Sequence, residues 1–304
     1  MTGKPSVGVI GLGSMGMGVA RTLLAKGFDT HAFDVRQETL GIFEKAGGKS
    51  HSTPAALGAK VSVVIILVVN ADQTEAVLFG KEGAASTLAK GSAVIASATV
   101  APEFAIDLGK RLGEKQLLMV DAPVSGGAAR AAKGELSVMG SGTPDAFAKV
   151  DTVLSAIAAK VYRLGDSVGM GSKIKMINQL LAGVHIASAC EAMALAIRAG
   201  ADPKTVYEVI SNSAGSSWMF QNRVPHILEG DYTPLSAVSI FVKDLGIVLD
   251  SAKKMAFPLP LTAAAHQLYL AAAGAGLSGQ DDSAVVKVYQ MMSGIELPRQ
   301  KDKI

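Results

Sequence analysis

Cysteine is almost absent from this chain of 304 residues, and the single one is Cys190. One thiol cannot form a disulfide within its own chain, so the sequence excludes a disulfide scaffold. Cys190 falls inside a long apolar segment, which predicts a buried and reduced thiol. Metal ligands are also scarce, because the five histidines are scattered and none has the spacing of a zinc site.

Long runs of one charge are missing too. The chain has 29 Lys and Arg against 26 Asp and Glu, and no basic block is longer than the tail from Arg299 to Lys303. Nucleic-acid binding needs a basic patch, so we expect no nucleic-acid partner. The apolar run from Val61 to Val69 is too short to span a bilayer, and the N-terminus lacks the layout of a signal peptide. We therefore expect no membrane partner and a cytoplasmic location.

What the sequence does contain is a glycine-rich turn in the context of a dinucleotide site. The run from Ser6 to Ile10 predicts a strand, residues Gly11 to Gly16 spell GLGSMG, and apolar residues at helical spacing follow as far as Gly27. The first glycine permits a tight turn, the second lets backbone approach a pyrophosphate, and the third lets helix and strand pack closely. The free N–H groups at the helix N-terminus then favour phosphate.

Asp34 follows the next apolar run, Thr30 to Phe33, which predicts a second strand. A carboxylate there accepts hydrogen bonds from the ribose 2′-hydroxyl of NAD and repels the 2′-phosphate of NADP. Arg36 could instead reach a 2′-phosphate, although a surface arginine at the start of the next helix explains it better. We predict NAD as the cofactor, held by Gly11, Leu12, Gly13, Ser14, Met15, Gly16, Asp34 and Val35.

Strands and helices alternate as far as Val161, an order typical of an α/β fold with a Rossmann-type, doubly wound parallel sheet. Ligands bind such sheets beyond the carboxyl ends of the strands. By this rule we predict cofactor contacts from Val68 and Val69 at one strand end and from Thr99 at the next. For Thr99, the N-cap of the helix opened by Pro102 is an equal alternative.

A further strand end carries a serine and two glycines. The strand from Gln116 to Val120 leads into the segment Asp121-Ala-Pro-Val-Ser-Gly-Gly127, whose glycines expose backbone N–H groups. Such a cluster of N–H groups binds a carboxylate, and a serine hydroxyl is an additional donor. We therefore predict that Ser125, Gly126 and Gly127 bind a substrate carboxylate, the alternative being a flexible loop without a ligand.

Strand-like runs end after Tyr162. The stretch from Gly169 to Gly200 has no internal proline and predicts one helix of about 30 residues, roughly 45 Å long. It is apolar on nearly every side from Leu180 to Ile197, which predicts burial between domains or against a second subunit of a homodimer or homotetramer. Only helical patterns follow, so we divide the chain into a dinucleotide-binding domain, residues 1–164, and an all-α domain, residues 165–304, joined by this helix.

The first turns of the long helix carry its polar residues. Lys175, Asn178 and Gln179 fall three and four residues apart, so one stripe presents an ammonium and two amides. We interpret this stripe as one wall of an active site, the alternative being a solvated lysine near a helix start. An ordinary lysine is only about 0.04% neutral at pH 7, and roughly 3 kcal/mol would lower its pKa from 10.4 to about 8.

With these motifs in order, and with Lys243-Asp244-Leu245 as a further match, the chain resembles the β-hydroxyacid dehydrogenase family over essentially its whole length. The resemblance implies an oxidoreductase that transfers a hydride between NAD and a small hydroxy acid. It also implies that Lys175 is the catalytic acid or base, that Asn178 and Gln179 bind substrate together with the Ser-Gly-Gly loop, and that Lys243 lies near the nicotinamide. Gln179 stands where many members have asparagine, which changes the substrate pocket rather than the reaction.

Other functions on the same fold make different demands on the sequence. Imine reductases of this type usually lack the lysine found here at position 175. A decarboxylating phosphosugar dehydrogenase needs a clustered basic clamp, for which only Arg299, Lys301 and Lys303 are candidates. A silent NAD-binding regulator could have lost Lys175 or the Ser-Gly-Gly loop, and this chain has kept both.

Overall fold

A computed structural model of the protein describes residues 3–300. These residues form two compact units, the first ending at Lys175 and the second beginning at Met176. The division falls inside one continuous helix, and each unit has a hydrophobic core of its own.

The first unit is built on a six-stranded parallel sheet. Its strands are β1 (Val7–Ile10), β2 (Thr30–Phe33), β3 (Lys49–Ser50), β4 (Val63–Ile66), β5 (Ala93–Ala96) and β6 (Leu118–Asp121). Their order across the sheet is β3-β2-β1-β4-β5-β6. This is the doubly wound arrangement of dinucleotide-binding proteins, so the predicted fold class is confirmed. Strands β1, β4 and β5 are buried along their whole length, which explains why their sequences are apolar without alternation.

Seven helices follow strands of this unit, and three of them begin with a side-chain cap. They are α1 (Gly16–Ala25), α2 (Gln37–Lys45), α3 (Pro54–Gly58), α4 (Ala71–Phe79), α5 (Pro102–Glu114), α6 (Gly127–Lys133) and α7 (Pro144–Ile157), with a 3₁₀ turn at Ala84–Ser86. The side chains of Thr53, Asn70 and Thr143 each accept a hydrogen bond from the backbone N–H three residues further on.

One predicted cap is wrong. Helix α5 begins at Pro102 and its N-cap is Ala101, so Thr99 does not cap it. The proline explains the difference, because its ring fixes φ near the helical value and favours the first helical position. Thr99 therefore lies in the connection between β5 and α5, where its predicted cofactor contact remains a prediction.

A second, smaller sheet follows β6. Its three strands are β7 (Val124–Ser125), β8 (Leu136–Gly140) and β9 (Ala158–Arg163). Strand β7 pairs antiparallel with β8, and β8 pairs parallel with β9. The two residues of β7 leave no periodic pattern in the sequence, so the pairing of β7 with β8 was not predicted.

The second unit is helical, and within the described residues it contains no strand. Its helices are α8 (Met170–Arg198), whose first turns belong to the first unit, α9 (Pro203–Ser211), α10 (Trp218–Glu229), α11 (Val238–Lys254), α12 (Pro260–Gly274) and α13 (Val286–Ser293), the last preceded by a 3₁₀ turn at Asp282–Val285. Cys190 is buried in the core of this unit as a free thiol, as predicted. The rings of Phe241 and Tyr269 stack in the same core, with centroids 5.3 Å apart.

Helix α8 is only partly covered by its own chain. Residues such as Ile186 and Met193 pack in the core of the second unit. Ile177, Leu181 and Leu195 are 51%, 49% and 68% exposed, so a stripe of α8 remains open. By length and composition alone α8 could cross a membrane, a test that core helices of soluble proteins also pass.

Candidate active site

The glycine turn between β1 and α1 has the geometry that its sequence predicts. Gly11 has a φ of 93°, in the left-handed region that favours glycine. A Cβ on Gly16 would lie 1.8 Å from the Gly11 carbonyl oxygen, so helix and turn approach as closely as only glycine allows. A Cβ on Gly13 would meet no atom within 4 Å, so the backbone is open there. Open backbone beside a helix N-terminus fits the pyrophosphate of NAD.

Asp34 connects the end of β2 to this turn. Its carboxylate accepts hydrogen bonds from the Leu12 backbone N–H at 2.7 Å and from Arg36 Nε at 3.0 Å. Burial alone would raise the pKa of Asp34, but the hydrogen bonds from Arg36 and Leu12 outweigh it and hold the pKa below its ordinary value. Asp34 is therefore a charged acceptor at neutral pH, as the ribose hydroxyl of NAD requires. Arg36 is the N-cap of α2, in agreement with its predicted position at the helix start.

We expect Asp34→Ser to lower kcat/KM with NAD about 10- to 100-fold, because a hydrogen bond to a charged group contributes roughly 1.5–3 kcal/mol. The same change removes the partner of the Arg36 guanidinium and the repulsion of a 2′-phosphate, so kcat/KM with NADP should rise. Steady-state assays with both cofactors measure the change. Asp29→Ser is the matched control, since Asp29 is a half-exposed carboxylate just before the same strand. Equal efficiency of the unmodified protein with NAD and NADP would contradict the role of Asp34.

The remaining predicted cofactor residues of the first unit lie at the same edge of the sheet. Val68 and Val69 follow β4, and Thr99 follows β5. Strands β1, β4 and β5 are parallel neighbours, so their carboxyl ends bring these residues beside the glycine turn. Val35 is exposed next to Asp34.

Lys175 is 8% exposed, which is unusual for a charged side chain. Its Nζ donates a hydrogen bond to the Val124 carbonyl oxygen at 2.9 Å, across 51 residues of sequence. Val124 is followed directly by Ser125, Gly126 and Gly127, so the first unit brings the amine to the predicted carboxylate-binding loop. The φ values of Gly126 and Gly127 are 135° and 70°, which L side chains rarely adopt, so this turn needs both glycines.

Asp121 holds the helix that carries Lys175, a role that the sequence analysis did not assign. Its carboxylate accepts hydrogen bonds from the backbone N–H groups of Gly169 at 3.0 Å and Ser172 at 2.8 Å, and from Ser172 Oγ at 2.7 Å. Gly169 directly precedes α8 and Ser172 lies in its first turn, where backbone N–H groups have no acceptor within the helix. Burial raises the pKa of Asp121 in spite of these donors. The only indication of this role in the sequence was that Asp121 directly follows a predicted strand.

The second unit links its predicted site residues in a chain of hydrogen bonds between α8 and α11. Asn178 Nδ2 donates to Gln179 Oε1 at 2.9 Å, and Gln179 Nε2 donates to Asp244 Oδ2 at 2.5 Å. Lys243 Nζ donates to Asp244 Oδ1 at 2.5 Å. Asp244 is buried and connects the two helices, although the sequence analysis gave a role only to the lysine before it. Within residues 3–300, no group of three His, Cys, Asp or Glu side chains could hold a metal ion.

Known proteins match the chain along nearly all of its length. Residues 6–165 match the NAD binding domain of 6-phosphogluconate dehydrogenase, and residues 169–289 match the NAD-binding domain of NADP-dependent 3-hydroxyisobutyrate dehydrogenase. L-threonate dehydrogenase of Cupriavidus necator is 62% identical over 293 residues, which cover 96% of this chain and 98% of the relative. The crystal structure of 3-hydroxyisobutyrate dehydrogenase from Salmonella typhimurium is 48% identical, with a TM-score of 0.89 over 93% of this chain and 99% of that one.

A doubly wound NAD-binding sheet followed by a helical domain, with these relatives, defines an NAD-dependent hydroxyacid dehydrogenase. The chain belongs to the β-hydroxyacid dehydrogenase family, of the 3-hydroxyisobutyrate dehydrogenase type. The names of the relatives refer to more than one hydroxy acid, so membership of the family does not by itself identify the substrate.

Proposed function

We propose that the protein oxidises L-threonate at C2 to the corresponding 2-oxo acid, with NAD as the hydride acceptor. The observation that supports this substrate most is the 62% identity to L-threonate dehydrogenase of C. necator over nearly the whole of both chains. The second candidate is 3-hydroxyisobutyrate, which is favoured by the Salmonella structure at 48% identity. Reduction of tartronate semialdehyde or glyoxylate is another reaction known within the family.

Oxidation of an alcohol requires loss of a hydride from carbon and of a proton from the hydroxyl. NAD supplies the hydride acceptor when it is bound. We assign the proton to Lys175. In its neutral form the amine can donate one N–H to the Val124 carbonyl oxygen and still offer its lone pair to the substrate hydroxyl. In the reverse direction, the protonated amine donates to the carbonyl oxygen of the substrate.

We assign the substrate carboxylate to Ser125, Gly126 and Gly127. A Cβ on Gly127 would meet no atom within 4 Å, so the turn is open at this residue. Two N–H groups and a hydroxyl match the acceptor oxygens of a carboxylate. Lys243 is our candidate for a contact near the nicotinamide, on the strength of the family resemblance.

The test is a panel of L-threonate, D-erythronate, D-glycerate and 3-hydroxyisobutyrate, with NADH formation as the readout. We expect kcat/KM for L-threonate to exceed the others by about tenfold or more, because a site built to pair substrate hydroxyls rejects acids that lack them or, like D-erythronate, carry them in another configuration. A higher value for 3-hydroxyisobutyrate would keep the family and overturn the substrate. Absence of turnover with every acid would overturn the proposal as a whole.

We also propose that the protein is a homodimer or homotetramer in which a second copy covers the stripe of Ile177, Leu181 and Leu195. Apolar side chains exposed together at helical spacing are typical of a subunit interface. A cytoplasmic location is our further proposal, supported by the match to bacterial NAD-dependent metabolic enzymes.

A further inference from the structure

We propose that Gln179 and Asp244 are positioning residues that fix the orientation of the Asn178 amide, so that its oxygen selects acids with a hydroxyl beside the alcohol that is oxidised. This inference rests on the proposed function and adds to it the class of substrate. The observation that supports it is the order of donors and acceptors in the second unit, where hydrogen bonds connect Lys243, Asp244, Gln179 and Asn178 in turn.

Asp244 determines the direction of these hydrogen bonds. Its carboxylate is paired with Lys243 and can only accept, so Gln179 must turn its NH₂ group toward it. The other end of that amide, Gln179 Oε1, is then an acceptor and requires a donor from Asn178. Asn178 Nδ2 provides that donor at 2.9 Å, so Asn178 Oδ1 is the last atom in this series of hydrogen-bonded groups.

Burial keeps this direction fixed. Gln179 and Asp244 are both buried, and the two polar ends of the Gln179 amide are each hydrogen-bonded inside the protein. A rotated Gln179 amide would place an oxygen against a carboxylate oxygen, with no water to separate them. Asn178 Oδ1 is different, because no described residue donates to it and it is not among the buried atoms that lack a partner. It is therefore an accessible acceptor.

The position of Asn178 indicates which substrate group this acceptor meets. Asn178 lies three residues after Lys175 on the continuous helix α8, a spacing that places two residues on the same face of a helix. When Lys175 takes the proton of one hydroxyl, the hydroxyl on the next carbon is the group beside Asn178. In a 2,3-dihydroxy acid whose carboxylate is bound by the Ser-Gly-Gly loop, that group is the C3 hydroxyl, which can donate to Oδ1. Hydrogen or methyl at this place leaves the oxygen unpaired.

The test compares L-threonate with two analogues, 2,4-dihydroxybutanoate, which lacks the C3 hydroxyl, and 2,3-dihydroxybutanoate, which lacks the C4 hydroxyl. In the unmodified protein, loss of the C3 hydroxyl should lower kcat/KM about 10- to 100-fold. Loss of the C4 hydroxyl is the control and should have a smaller effect.

Asp244→Asn should reverse the hydrogen bonds without changing the size of the side chain. The new amide must offer its oxygen to Lys243, which only donates, and so its NH₂ to Gln179. Gln179 then turns its own NH₂ toward Asn178, whose oxygen is drawn away from the substrate. We expect the ratio of kcat/KM for L-threonate to that for the C3-deoxy acid to fall below about threefold. The effect of the missing C4 hydroxyl should not change.

Gln179→Met is the second variant, because it interrupts the chain and keeps the Lys243–Asp244 pair. The same fall in the ratio is expected, with the KM for NAD unchanged. Ser188→Ala, an exposed change on the same helix, should keep the ratio of the unmodified protein.

The outcomes separate this inference from the proposed function. An equal loss of kcat/KM for both acids in the two variants would indicate a purely structural role and overturn the inference alone. Preference of the unmodified protein for an acid without an adjacent hydroxyl would overturn both. Preference for another acid with an adjacent hydroxyl would overturn only the assignment of L-threonate as the substrate. The ratio of kcat/KM is then measured for that acid and its deoxy analogue.

Discussion

Lys175→Ala should lower kcat for L-threonate oxidation about 10²- to 10⁴-fold, the usual contribution of a positioned acid or base. Binding of NAD should be unchanged, because the cofactor residues that we predict do not include Lys175. Absorbance of NADH gives the rate, and calorimetry gives the affinity for NAD. Lys173→Ala is the matched control, since Lys173 is an exposed lysine on the same helix two residues away.

The Lys175→Arg variant tests whether Lys175 accepts a proton or only supplies a positive charge. Arginine keeps the charge but stays protonated at any pH that the protein tolerates, so it cannot accept the hydroxyl proton. We expect this variant to be as inactive as the alanine variant, and added methylamine to restore part of the activity of the alanine variant only. Turnover by the arginine variant near that of the unmodified protein would exclude Lys175 as the base.

The sequence predicted those parts of the site that depend on neighbouring residues. The glycine turn and Asp34 could be predicted because a strand, a turn, a helix and a second strand follow one another within about 30 residues, and each leaves a local pattern. Helix α8 could be predicted because no proline interrupts the segment and a glycine lies at each of its ends.

Long-range hydrogen bonds account for what the sequence did not predict. Asp121 is 48 residues before Gly169, and Gln179 is 65 residues before Asp244. Neither pair leaves a periodic signal, because each contact depends on how separate strands and helices pack. The strand expected to begin at Gln116 begins later, since Gln116 has a φ of 58° and forms the turn before β6. Such a conformation is rare for glutamine and could not be expected from its identity.

Gly171→Ala should disrupt the active site as severely as loss of the lysine itself, although Gly171 carries no chemical group. A Cβ at this position would lie 2.3 Å from the Met139 carbonyl oxygen and 2.6 Å from that of Asp121. Both oxygens belong to buried strands of the two sheets, so the first turn of α8 must move instead. That movement would also break the hydrogen bond from Gly171 N to Ser141 Oγ, which is 3.0 Å long.

The displaced turn would carry Lys175 with it, because Lys175 lies four residues further along the same helix. A misplacement of about 1 Å in an active site can cost about 10²-fold in rate, so we expect kcat to fall by at least that amount. Overpacking of a buried site should lower the free energy of unfolding by about 1–3 kcal/mol, and the lost hydrogen bonds add to this loss. Urea unfolding measures the stability, and NADH formation measures the rate.

Gly41→Ala is the matched control for this prediction. Gly41 is also a helical glycine, in α2, but a Cβ there would meet no atom within 4 Å. Alanine should therefore leave kcat unchanged and raise stability by up to about 1 kcal/mol through its higher helix propensity. Normal activity in Gly171→Ala would mean that α8 can shift without moving the amine, and that Asp121 does not determine the position of Lys175. A fall in kcat with normal stability would instead show that the glycine is required for the position of the base rather than for folding.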